Sequence, residues 1–325
     1  MKKVVKKKNM FNILTIILCI GWVFSFFGSY FTINTRNESY ERLYLNMINT
    51  AACFNSQLNA GDGDNNGEAL FSDAKTAVIT AFNSFKECTA WEIIGFGIGG
   101  GGVTFAGKDY SLQIAMQNKF VQWPDGTNLV ELGRKQIQDF IAGDIMTGTL
   151  FYYYEDGKRY RDIEGEADIT LENDVMDIDY KNHFHVDEYI SHEYRTMLYI
   201  VNEKSIAKEL FFKINRNTYT NKIESYSASV AFNCAIACKD YSDNLKLEMG
   251  NSITDKPVFT ELEFNMLIGT DGNIQMLNIK ETYSFVFVSF GVKVTTYSDI
   301  TYKFLSLNKE PTTIERFDMQ NAILD

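Results

Sequence analysis

The sequence predicts an α+β fold: an N-terminal transmembrane helix, two further N-terminal helices, then an antiparallel sheet packed on helices. Three observations carry this. Residues 10–32 hold no charge. Between residues 38 and 88, apolar residues recur at helical spacing. After Cys88 the texture changes to apolar/polar alternation broken by turn signals. The chain has 325 residues, of which 45% are hydrophobic and 14% aromatic, enough to bury a sizeable core. Only Pro124, Pro257 and Pro311 occur, so no proline-rich linker divides it, and one main folded unit is expected.

The first element is MFNILTIILCIGWVFSFFGSYFT, residues 10–32, preceded by MKKVVKKKN with five lysines and no acid. A helix of that length crosses a hydrocarbon core of roughly 30 Å. Lysines before it, with Asn37, Glu38 and Glu41 after it, orient the N-terminus to the cytoplasm and the body outside. The long apolar stretch and the poor fit of FFGSYF to a small-x-small cleavage site favour a retained anchor over a cleaved signal. At Cys19 a lipid attachment is disfavoured by Leu18, where such sites carry a small residue. The expected organisation is a cytoplasmic stub (1–9), a signal-anchor (10–32), a helical hairpin (33–90), a β-rich body (91–310) forming one unit with the hairpin, and a tail (311–325). Beyond the anchor, 26 Lys and Arg face 42 Asp and Glu, a net charge of −16. Such a surface repels nucleic acid and anionic headgroups, so no nucleic-acid partner is expected.

Residues 38–60 read as a helix through Leu43, Met47, Ala51 and Phe54, with Gly61 as its stop. A second helix is expected over about 68–88, with Leu70, Ala74, Val78, Ala81 and Phe85 as its stripe. In TELEFNMLI, Thr260, Leu262, Phe264, Met266 and Ile268 face one way, while Glu261, Glu263 and Asn265 face the other. Turns are expected at Thr270–Asn273, in WPDGTN (123–128), in YEDGKR (154–159) and around Gly291. EKSIAKELFFK (203–213) reads as an intervening helix, and residues 223–246 fit strand or helix equally. Outside the anchor lie Cys53, Cys88, Cys234 and Cys238, which allow two disulfides in three pairings or free buried thiols. On a strand, Cys234 and Cys238 would stand about 13 Å apart, too far to bridge each other.

A helical start, long antiparallel strands, the DGNI hairpin and a closing VKVTTYSDITYKF…P together resemble the LolA/LppX-type bacterial lipoprotein-fold families. The resemblance spans about residues 68–311 as pattern. It implies that the antiparallel sheet is curved and half-barrel-like, wrapped over helices and holding a lipid or other hydrophobic molecule in its hollow. The missing lipid-attachment pattern departs from many members, and no binding residue carries over individually.

Several strings suggest chemistry. Gly95-x-Gly97-x-x-Gly100 spells a dinucleotide fingerprint, but the residues after it alternate like a strand rather than open a helix, so a glycine-rich loop between strands is expected instead. Ser205-x-x-Lys208 with Ser242-Asp243-Asn244 imitates penicillin-recognising enzymes, without the third Lys-Thr-Gly element. In GDGDNNGEALFSD, Asp62, Asp64, Asn66 and Asp73 fall at calcium-loop positions 1, 3, 5 and 12, although Asp73 replaces the bidentate Glu and an Asx-rich turn needs no metal. NHFHVDEYISHEYR holds all three histidines. His183 and His185 at strand spacing, with His192 and Asp187, could ligate zinc. Glu188 and Glu193 are further candidates, and a solvated strand end is the alternative. No second histidine follows His192 at i+4, so a helical metalloprotease is disfavoured. Tyr152–Tyr154, Tyr283, Phe285, Phe287, Phe290, Tyr297 and Tyr302 could line a cavity or simply pack the core. The expectation is therefore a membrane-tethered, extracytoplasmic binding protein for a lipid or other apolar ligand, with no catalytic residue assigned. A zinc- or calcium-dependent envelope protein or hydrolase is the second reading, and a structural envelope component the third.

Overall fold

A computed structural model of the chain describes residues 69–105, 108–124, 129–139, 145–155, 158–162, 168–172, 175–179, 183–188, 198–288, 291–312 and 323–324. The anchor (10–32), the first expected helix (38–60), Asp62, Asp64, Asn66, Cys53 and His192 lie outside these residues. Among the described residues no helix is long and apolar enough to cross a membrane.

Helix α1 (Ala74–Lys86) is the second expected helix, trimmed at both ends. Asp73 fixes its start: the Asp73 carboxylate accepts from the Thr76 N–H at 2.8 Å, satisfying one orphan amide of the first turn. That hydrogen bond holds the Asp73 carboxyl below its ordinary range. Ala74, Ala77, Val78, Ala81, Phe82 and Phe85 form the buried stripe, at the i, i+3, i+4 spacing that one helix face requires. Leu70, expected in that stripe, precedes the helix and is exposed.

The strands are β1 (Trp91–Phe105), β2 (Lys108–Gln122), β3 (Leu129–Asp139), β4 (Ile145–Glu155), β5 (Lys158–Asp162), β6 (Asp168–Glu172), β7 (Val175–Asp179), β8 (His183–Glu188), β9 (Ile206–Arg216), β10 (Ile223–Phe232), β11 (Val258–Gly269), β12 (Ile274–Phe287), β13 (Val292–Leu307) and β14 (Ile323–Leu324). Among the described residues they form one open sheet in the order β14-β8-β5-β4-β3-β2-β1-β13-β12-β11-β10-β9, with β6 and β7 as a separate pair. All neighbours in the large sheet run antiparallel except β14 with β8. The strands that flank the four expected turns, β2–β3, β4–β5, β11–β12 and β12–β13, are sequential antiparallel pairs. In the β11–β12 turn, Gly272 takes φ 81°, a left-handed conformation that favours glycine, and Asp271 accepts from the Asn273 N–H.

The inner face carries the core. Phe264 and Phe304 meet Phe82 and Phe85 of α1. Helices α2 (Cys234–Ala237) and α3 (Lys239–Met249) cover the same face, with the Tyr241 ring against Tyr199 and Phe259. Burying this many apolar side chains stabilises the layer by about 1.5–3 kcal/mol for each large one.

Two expectations are corrected and one left open is resolved. EKSIAKELFFK is strand β9, not a helix; as the last strand in the sheet order it is largely exposed, so its alternation is masked by solvated residues. Residues 223–246 divide into β10 and then α2 and α3, with Asn233 capping α2 through the Ala235 N–H. The β11 alternation slips at its start. A bulge between Phe259 and Glu261 turns Thr260 outward and Phe259 inward.

Candidate functional site

The glycine run expected as a loop is the middle of β1, hydrogen-bonded on both sides to β2 and β13. Alternation puts Gly95, Gly97, Gly99 and Gly101 on the inner face, in line with inward Ile93 and Val103. A stripe without side chains therefore runs for about 20 Å along the strand, at ~3.3 Å per residue. At Gly97 glycine is required: a Cβ there would clash with the Asp299 carbonyl and come within 2.7 Å of the Ile300 Cα. At Gly95 it would sit 3.0 Å from the Tyr302 ring.

Cross-strand register extends this stripe in both directions. One row reads Glu281, Ser298, Gly99, Ile114, Ile137, Met146 from β12 to β4. The neighbouring rows place Met116 opposite Gly97 and Leu112 opposite Gly101. The Gly99 row thus carries the polar pair Glu281–Ser298, the Gly101 row Tyr283–Thr296 and the Gly97 row Ile279–Ile300, and all three reach apolar residues on β2.

The polar end is a buried carboxylate. Tyr199 donates its hydroxyl to Glu281 Oε2 at 2.5 Å, and Ser298 donates to Glu281 Oε1 at 3.0 Å. Tyr199 is held by edge-to-face contacts with Tyr241 and Phe264. Burial, then the Glu281 charge, pushes the Tyr199 hydroxyl well above its ordinary value, so it remains a donor. Beside it stand Cys234 and Cys238, both free, as is Cys88. They lie on one helical turn rather than on a strand, with the Cys238 N–H donating to the Cys234 carbonyl at 3.0 Å.

The outer face is built differently. Ser229, Asn265, Asn278 and Asp299 form a hydrogen-bonded ladder across β10–β13, with Asn265 to Asn278 at 3.0 Å and Asn278 to Asp299 at 2.6 Å. Near the start of β1, Lys119 and Glu92 make an ion pair at 2.6 Å, both essentially inaccessible to solvent. Glu92 also accepts from the Thr312 N–H at 3.4 Å, where the chain beyond β13 returns over it.

The sequence-derived candidates fare as follows. His183 and His185 occupy alternate positions of β8, as expected. Register sets Arg161 opposite His185, Arg159 opposite Asp187 and Lys158 opposite Glu188. The register thus sets both acids opposite cationic residues. Asp73 is the α1 cap, and its two calcium-loop partners and Asn66 lie outside the described residues. Among the described side chains no group of three His, Cys, Asp or Glu is placed to hold a metal. Ser205 lies in the turn before β9, hydrogen-bonded to Asn202. Ser242 on α3 donates to the Pro257 carbonyl. Tyr283, Phe285, Phe287 and Tyr302 are buried, while Tyr297 is exposed on the outer face; Phe290 and the side chains of Tyr152–Tyr154 lie outside the described set. Sequence reading missed Glu281. Its signal was an acid at an inward position of an otherwise apolar β12 alternation.

No protein-family model and no curated protein matches the chain. Among solved structures it is similar to LprF from Mycobacterium bovis, at 8% identity, covering 74% of this chain and 96% of that one, with a TM-score of 0.33. It is also similar to a DUF1329 family protein from Desulfovibrio piger, at 8% identity, 72% and 94% coverage and a TM-score of 0.22. A third is a Vibrio parahaemolyticus domain named for outer membrane lipoprotein sorting, at 9% identity, 72% and 91% coverage and a TM-score of 0.18. The likeness concerns the fold alone and is slight.

Proposed function

We propose that the protein binds an elongated apolar molecule, such as a lipid, along the inner face of the sheet. The observation that supports this is the stripe Gly95–Gly97–Gly99–Gly101, an inward surface without side chains in register with Leu112, Ile114 and Met116. An apolar chain lying there would gain about 25 cal/mol per Å² of surface removed from water. The Glu281–Ser298–Tyr199 centre lies on the Gly99 row, where a ligand's polar end would meet hydrogen-bonding groups. Residues 10–32 would tether this module to the outer side of a membrane, consistent with their uncharged length.

The full chain, purified and extracted with organic solvent, tests this by mass spectrometry of the extract. Apolar compounds should be recovered with the wild type and depleted in Gly99→Leu or Gly101→Leu. Equal recovery from folded wild type and both variants contradicts the reading. Elemental analysis of the same preparations tests the zinc and calcium alternatives at His183, His185, His192 and Asp187 and at Asp62, Asp64, Asn66 and Asp73. Stoichiometric metal lost on His183→Ala or Asp62→Ala would favour them.

A further inference from the structure

Beside the buried carboxylate sits a thiol pair that the binding reading does not use. Cys234 opens α2 and Cys238 closes it; four residues at 1.5 Å rise put their Cα atoms about 6 Å apart, inside the range a disulfide spans. Cys234 is half-buried and reachable from solvent, and Cys238 is buried at 1% exposure. We infer that Cys234 and Cys238 are a reversible thiol–disulfide pair that controls how tightly Tyr199 is held over Glu281.

The chemistry starts at Cys234. The neighbouring Cys238 thiol lowers the Cys234 pKa despite partial burial; the same interaction, then burial, then the Cys234 and Glu281 charges, keep Cys238 protonated. The Cys234 thiolate attacks one sulfur of an external disulfide, such as oxidised glutathione, and expels one thiolate. Cys238 then loses its proton and displaces the second, closing the internal bond. The two protein thiols give up two electrons and two protons, and the external disulfide is reduced to two thiols.

Closing the bond has a structural cost in α2. Bridged Cβ atoms stand about 3.5–4.5 Å apart, closer than one helical turn leaves them, so the four-residue helix must tighten. Its Ala237 carbonyl accepts from the Ile200 N–H at 2.9 Å, and the adjacent Tyr199 carries the hydroxyl that covers Glu281. Oxidation therefore loosens the 198–201 segment. The thiol chemistry stands independently of the apolar ligand; only its use in gating rests on that reading.

The test equilibrates the full chain, in detergent, with glutathione buffers of stepped redox ratio, and maps tryptic peptides without reduction. Residues 223–239, between Lys222 and Lys239, hold both cysteines in one peptide. The expected product is that peptide lighter by two hydrogens. Cys238→Ser should instead leave a glutathione adduct on Cys234, and Cys234→Ser should leave Cys238 unmodified. With a thiol alkylator, Cys234 should react at least about tenfold faster than Cys238, and Cys88 provides a buried reference thiol. Hydrogen exchange at the Ile200 amide should accelerate at least about tenfold on oxidation and stay unchanged in the Cys238→Ser protein. A wild type that forms only the adduct, or nothing, overturns the pair. An internal disulfide with unaltered Ile200 exchange overturns its control of Tyr199. Neither readout depends on a bound apolar molecule.

Discussion

Among the described residues each face of the sheet buries one carboxylate, and the two are satisfied by different means. On the outer face Glu92 is neutralised by the Lys119 ammonium, in a pair with almost no access to water. On the inner face Glu281 has two neutral hydroxyl donors, Tyr199 and Ser298. An ion pair ties two strands into one geometry and fails badly when halved, because the survivor is left as a buried charge. Hydroxyl donors can be withdrawn one at a time at smaller cost. The outer pair is thus suited to holding β1 and β2 in register, and the inner centre to a cover that moves.

Substitutions can break this contrast. Lys119→Met should cost most, about 3–5 kcal/mol of unfolding free energy by denaturant titration, while Glu92→Met with Lys119→Met together should recover most of it. If single and double variants lose equally, the pair is not what Glu92 requires. Gly97→Ala, which forces a Cβ against the β13 backbone, should cost about 1–3 kcal/mol.

Tyr199→Phe should cost about 1–3 kcal/mol near neutral pH, by leaving Glu281 Oε2 without its donor. The pH dependence has a definite sign. Tyr199 is raised above its ordinary value of 10.0, so its contribution is complete below that pH and is lost as pH rises toward the folded value. The gap between wild type and Tyr199→Phe should narrow above about pH 10; a constant gap would remove Tyr199 from the account. Asp73→Ala should show the smallest effect, about 1 kcal/mol through the lost α1 cap. Because the cap holds the Asp73 carboxyl low, this difference should fade as pH drops below the carboxylate range.

How far the sequence was legible follows the same division. Alternation in β11–β13 and the turns at Asp271–Gly272 and Gly291 were readable, because one face is solvated and period two survives. β9 was misread as a helix: Ile206, Phe212 and Ile214 on the inner face and Phe211 on the outer leave no clean alternation in an edge strand. The glycine stripe was misread as a loop, since glycine carries no side chain to reveal period two. Glu281 was hidden for another reason. Its partners Tyr199 and Ser298 are distant in sequence, and no local spacing announces a contact made only by folding.

The central claim is that an apolar ligand lies on the inner face, and photolabelling tests it most directly. The full chain is irradiated with a diazirine-bearing fatty acid, and the labelled residues are mapped by mass spectrometry. The account predicts adducts at inward positions such as Val103, Thr296 and Ser298, reduced in Gly99→Leu. Labelling confined to residues 10–32, or to outer-face positions such as Lys293 and Tyr297, would contradict it.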